Sequence, residues 1–139
     1  MANYVYNGID ISRHQGTINW NEVAKSSIDF VIIRAGYGKL IQQEDDKFKA
    51  NITGATNAGI SNIGIYWFSY ASTVEEAKQE AAACISVIKP YKSLITLPVF
   101  FDQEYCTQVL SATKSVRTEC CKVFCEAINT AGYKAGLYA

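Results

Sequence analysis

Asp102 and Glu104 stand two residues apart in the run LPVFFDQE, whose β-branched and aromatic content reads as a strand. Side chains alternate along a strand, so these two share a face with backbone positions roughly 6 to 7 Å apart. Two carboxyl groups then look into one pocket and cannot both ionise freely: one is driven toward its protonated form while its neighbour stays charged. That asymmetry suits cleavage of a glycosidic bond, in which one group protonates the leaving oxygen and a second supports an oxocarbenium-like centre. A solvated loop entrance or a salt-bridge site is the plainer reading of the same D-x-E. Asp10, a third acid near the end of a first candidate strand, weighs toward chemistry.

Other candidates carry less. Ser12 and His14 share a strand face with Asp10, but a nucleophile, base and orienting acid must converge from different elements rather than follow one another along an extended run. A polar loop with His14 at the cleft rim explains them. Arg34 lies in an otherwise apolar run and needs an acidic partner in or beneath the site. Tyr66, Phe68 and Tyr70 share one parity of a strand and Trp67 takes the other; Tyr66, with a polar tip to aim at sugar hydroxyls, is the cleft candidate. The chain has five cysteines and one histidine, with no C-x-x-C pair. Cys120, Cys121 and Cys125 fall in one amphipathic stretch, so reduced structural thiols are expected rather than a metal site.

The elements that must hold these groups alternate. Candidate strands span Val5–Ser12, Asp29–Tyr37, Asn62–Tyr70, Leu97–Glu104 and Lys134–Ala139. Between them lie segments of helical period: Asn19 to about Lys25 opened by an Asn19/Glu22 capping box, Asp45 to about Gly59, Thr73 to about Lys89 stopped by Pro90, and Ala112 to Ala131 ended by Gly132. Strand–helix alternation predicts an α/β fold with a parallel sheet, either an open doubly wound sheet or part of a barrel. At 139 residues the chain is too short to close a full eight-stranded barrel, which takes about 200 or more. One domain, residues 1–139, is expected. SRHQGT follows the first strand where a nucleotide binder would carry a glycine-rich loop, which disfavours a flavodoxin-like reading.

Composition narrows the partners. Apolar residues make up 49% and charged residues 19%, which excludes a disordered chain. Thirteen basic side chains balance thirteen acidic ones, so neither nucleic acid nor an anionic membrane surface is an expected partner. The start, MANYVYNGIDIS, shows no signal-peptide pattern, and no apolar run reaches the roughly 20 residues of a membrane span. The expectation is synthesis in the cytoplasm without membrane insertion.

GIDISRHQGTINW, FVIIRAGYG, the D-x-x-F-x-x-N of Asp45, Phe48 and Asn51, GIYWFSYASTVEEAKQEA, LPVFFDQEY and AGYKAGLYA resemble, in order and spacing, the lysozymes of glycoside hydrolase family 25. The likeness covers the whole chain. It implies a partial (β/α) barrel of the modified TIM-barrel type that cleaves the β-1,4 bond between N-acetylmuramic acid and N-acetylglucosamine, by a retaining, substrate-assisted route. By resemblance Glu104 is the general acid/base, Asp102 the carboxylate that assists the acetamido group, and Asp10 a supporting acid, with no metal or organic cofactor implied. Tyr66 and Tyr138 fall at pocket-lining positions, Arg34 where a basic residue is common, and Phe68 and Tyr70 beside them as further substrate-binding candidates. The expected partner is the peptidoglycan glycan strand, reached after release from the cell.

Relative to the family, the chain is expected to be C-terminally shortened, lacking the last helix and strands with a further acid and a W-Q-Y segment. A barrel opened after its fifth strand bares the edges of strands one and five, which predicts self-association or completion by a separate fragment. The contrasting reading of the same chain is a non-catalytic half-barrel that binds or assembles.

Overall fold

The computed structural model describes residues 5–139. Five parallel strands form one sheet: β1 (Gly8–Ile11), β2 (Phe30–Tyr37), β3 (Ile63–Phe68), β4 (Val99–Asp102) and β5 (Ala135–Tyr138). Their order in the sheet is their order in the chain, and the sheet is not closed. Sequential order decides between the two architectures left open by the sequence. A doubly wound sheet reverses its strand order at a switch point, whereas successive right-handed crossovers without reversal put every helix on one side, as in a barrel wall.

The helices are α1 (Trp20–Lys25), α2 (Phe48–Asn57), α3 (Val74–Ile88), α4 (Thr107–Leu110) and α5 (Lys114–Thr130). Their starts follow local chemistry. The side chains of Asn19, Thr73 and Thr113 accept hydrogen bonds from the backbone N–H of Glu22, Glu76 and Val116, satisfying donors that an uncapped helix leaves bare. Pro90 ends α3 by turning the chain into a 3-10 segment, Lys89–Leu94. Gly59 and Gly132 adopt φ of 91° and 92° just past α2 and α5, the left-handed conformation that glycine supplies after a helix.

Several boundaries are tighter than the sequence suggested. The first strand begins at Gly8 rather than Val5, and the last begins at Ala135. The fourth ends at Asp102, so Glu104 lies beyond it. The second helix starts at Phe48, three residues after Asp45, whose carboxylate is occupied elsewhere, and α4 is a turn that periodicity did not signal.

Alternation sorts the strand residues into two layers. Val31, Ile33, Ile63, Ile65, Trp67, Val99 and Phe101 are buried toward the helices. They meet stripes at helical spacing: Phe48, Ile52 and Ala55 of α2, Ala77, Ala81, Cys84 and Ile88 of α3, and Cys120, Phe124 and Ile128 of α5. The Phe101 and Phe124 rings lie 4.4 Å apart, a contact whose truncation to alanine costs about 3 to 5 kcal/mol by analogy with other cores. Trp67 is fully buried and donates its indole N–H to the Gly38 carbonyl at 2.8 Å. All five cysteines are free. Burial pushes the thiols of Cys84 and Cys120 upward, so they pack as small apolar groups.

The opposite parity faces the concave side. Its floor alternates large and small residues: a Cβ on Gly136 would lie 2.5 Å from the Phe100 ring, and one on Gly64 would lie 2.6 Å from Ile32 Cδ1. Glycine at these points lets neighbouring side chains lie flat across the sheet. Among the described residues, no helix is long and apolar enough to cross a membrane.

Candidate active site

A cavity of about 250 Å³ opens at the carboxyl ends of the strands on the concave face. Each strand contributes to it: Asp10 from β1, Ile32 from β2, Tyr66 from β3, Phe100 and Asp102 from β4, and Tyr138 from β5. Glu104 joins from two residues past β4. The chain keeps its strand parity over that step because Gln103 N–H donates to the Tyr138 carbonyl at 2.9 Å. The Gln103 side chain turns the other way, donating to the Arg117 carbonyl on α5. Asp102 and Glu104 therefore line the same space.

Their surroundings differ. Asp102 is 5% exposed and Glu104 is open to solvent. Burial pushes the Asp102 carboxyl up to about 7, helped by the charge of Glu104, by a hydrogen bond with it and by Asp10, and opposed by Arg34. The Oδ1 atom of Asp102 is buried without a partner. Tyr66 is pushed up to about 12, chiefly by burial, with Arg34 and a Ser12 hydrogen bond opposing, so it keeps its proton at neutral pH and can donate a hydrogen bond.

Arg34 finds its acid eleven residues along the chain. Its Nε donates to Asp45 Oδ2 at 2.7 Å, and both side chains are nearly withdrawn from solvent. The same carboxylate accepts Arg13 N–H at 3.1 Å and Lys47 N–H at 2.9 Å, tying the loops after β1 and β2 together. A bulge at Arg34/Gly36 shapes this corner, and the Ala35 carbonyl accepts Asp45 N–H. The guanidinium lies over the Tyr37 ring at 5.5 Å, and its Nη2 has no partner. Arg34 thus acts on the cavity through its field rather than as part of the wall.

Of the aromatic candidates, Tyr66 and Tyr138 line the cavity. Phe68 and Tyr70 do not: Phe68 packs edge-on to Tyr70 at 5.1 Å, and Tyr70 borders a second cleft of about 440 Å³ with Tyr37, Lys39 and Glu80. Ser12 is buried, and its hydroxyl accepts His14 N–H as the cap of a 3-10 turn, while His14 itself is exposed. Ile32 and Phe100 were not singled out from sequence; their parity with Tyr66 and Asp102 was the available signal. Among the described residues, no three His, Cys, Asp or Glu side chains gather at metal-binding spacing.

The model of the glycosyl hydrolases family 25 matches residues 9–139. Lysozyme M1 of Streptomyces globisporus is 45% identical over 62 residues, which cover 45% of this chain and 20% of that protein. A family 25 glycosyl hydrolase from Bacillus anthracis superposes with a TM-score of 0.80 at 29% identity, covering 100% of this chain and 62% of that one. The modular autolysin LytC from Streptococcus pneumoniae, solved in complex with a synthetic peptidoglycan ligand, also gives 0.80 at 29% identity, over 94% of this chain and 31% of its own. The chain therefore spans between a fifth and two thirds of the length of these relatives.

Proposed function

Because the chain belongs to the family 25 glycosyl hydrolases, we propose that it hydrolyses the β-1,4 linkage between N-acetylmuramic acid and N-acetylglucosamine in peptidoglycan, as one catalytic unit acting at the cell wall. The observation that carries this reading is the Asp102 and Glu104 carboxyl groups lining one open cavity, with Asp10 in the same wall.

In this reading the pair shares one proton near neutral pH. At rest the buried Asp102 holds it, since a charge there is poorly solvated. A sugar whose acetamido N–H meets Asp102 favours the carboxylate form, and the proton passes to Glu104. Glu104 then protonates the glycosidic oxygen as the acetamido oxygen closes on the anomeric carbon, with the configuration retained. After the leaving sugar departs, Glu104 takes a proton from the water that opens the cyclic intermediate. Asp10 adds negative charge beside the developing cation, Tyr66 donates to a sugar oxygen, and Tyr138 offers its exposed ring as a platform.

Purified protein and its Glu104→Gln variant test the reading on isolated cell walls. Clearing by the parent that falls at least about 100-fold in the variant is expected from removal of a general acid. Clearing that survives the substitution overturns the assignment, and a parent that binds walls without clearing them turns the reading toward a non-catalytic half-barrel.

We also propose that the edges of β1 and β5, which pair with no further strand among the described residues, recruit one from a second copy or a separate polypeptide. Light scattering is expected to show a species larger than one chain at micromolar concentration. A monodisperse monomer refutes self-association.

A further inference from the structure

Glu80 lies on α3, outside the cavity, and is 1% exposed. An acid so deeply buried is costly unless its oxygens are satisfied, and here both are. Ser69 Oγ–H donates to Oε1 at 2.6 Å and Tyr70 N–H donates to Oε2 at 2.9 Å. Ser69 is used twice more: its Oγ accepts Ala71 N–H at 3.1 Å, and its backbone N–H donates to the Asp102 carbonyl at 2.9 Å. That last bond continues the β3–β4 ladder one step past the Phe68–Asp102 pair. A line of direct hydrogen bonds therefore runs from the Glu80 carboxyl, through Ser69, to the backbone of the buried member of the carboxyl pair.

We propose that Glu80 is a positioning residue for the Asp102–Glu104 site: by gripping Ser69 and Tyr70 it fixes the end of β3 that in turn fixes Asp102. The reaction it serves is the one proposed above, and to that extent the inference rests on that reading. The need for such a clamp is local. β3 ends at Phe68 and the chain must leave the sheet to reach the Thr73 cap of α3, so beyond Ser69 the N–H groups of Tyr70 and Ala71 have no strand partner and go to side chains instead. Ser69 and Ala71 are buried, which shields their polar groups from water. Glu80, two turns into α3, reaches back to accept the Tyr70 N–H. Burial also pushes Glu80 up to about 7 against the two donated bonds. The charge nearest to it is Glu76 on its own helix, itself paired with Lys39 at 3.6 Å, while Cys84 one turn further and Cys120 on α5 face it as protonated thiols.

Loss of the grip lets the end of β4 move and water reach Asp102. The readout is therefore Asp102 itself, followed by the carbon-13 shift of its carboxyl during a pH titration, alongside kcat and KM on soluble peptidoglycan fragments. Glu80→Gln keeps the shape and one acceptor. Ser69→Ala keeps the Glu80 carboxyl but removes the side-chain link, so an effect common to both arises from the bond to Ser69 rather than from loss of the carboxyl itself.

Both variants are expected to unfold cooperatively. The Asp102 midpoint should fall by half a unit or more toward the ordinary range, and kcat about 10-fold or more at unchanged KM. An Asp102 midpoint that stays at the parent value in folded Ser69→Ala overturns the positioning role, and this variant decides the matter if Glu80→Gln does not fold. A midpoint that moves while the parent hydrolyses nothing upholds the clamp and removes the hydrolase reading instead.

Discussion

Replacing Asp102 by asparagine should stabilise the protein at neutral and alkaline pH while abolishing its chemistry. Asp102 is 5% exposed and its carboxyl is raised from an ordinary 3.8 to about 7, first by burial and then by Glu104. A folded-state value above the unfolded one means the native chain binds more protons between those limits, so stability falls as pH rises through that window and is flat beyond it. At about 1.36 kcal/mol per unit, the full shift corresponds to an ionisation cost near 4 kcal/mol. Glu104 is solvent-exposed, so its share is screened, and a gain of about 2 to 4 kcal/mol at pH 8 is the expectation. For a chain of this size that raises Tm by roughly 6 to 15 °C. Thermal unfolding of the parent and Asp102→Asn from pH 4 to pH 8 measures it. The gap should be near zero at pH 4 and open progressively up to pH 7. A gap that does not depend on pH, or a variant less stable than the parent at pH 8, refutes the claim that a buried carboxyl is held against its preferred charge.

Two further outcomes follow from the same charges. The Asp102–Glu104 pair loses its shared proton above about 7, so wall clearing should fall about tenfold per pH unit on that limb; a rate that is level to pH 9 contradicts the shared proton. Asp45→Asn leaves the Arg34 guanidinium buried without an anion, and breaking such a pair costs about 3 to 5 kcal/mol, to be read as a lowered urea midpoint at an unchanged slope.

The parts of the molecule that were legible in advance are those governed by spacing along the chain. Two-residue alternation placed Asp102 with Glu104, and Tyr66 apart from Trp67, on the faces they occupy. Asn19, Thr73, Pro90 and Gly132 marked helix limits because caps and breakers act within a turn or so of themselves. Strand ends were overextended, as at Val5 and Leu97, because β-prone residues continue past the last paired position and only a neighbouring strand defines where pairing stops.

What the tertiary structure alone decided is the set of relations between residues that period and propensity do not connect. The order β1 to β5 without reversal made the sheet a barrel wall rather than a doubly wound layer. The choice of Asp45 as the partner of Arg34 needed the bulge in β2 and the loop that folds back onto it. Phe68 and Tyr70 share the parity of Tyr66 yet lie outside the cavity: the chain leaves the sheet after Phe68, which carries Tyr70 away, and the Phe68 ring packs against Tyr70. Nothing in the helical period of α3 distinguishes Glu80; its role depends on Ser69 and Tyr70 lying against it. Sequence specifies which way a side chain points from its own backbone; what lies opposite, and therefore how it ionises, is fixed only when distant segments pack and exclude water.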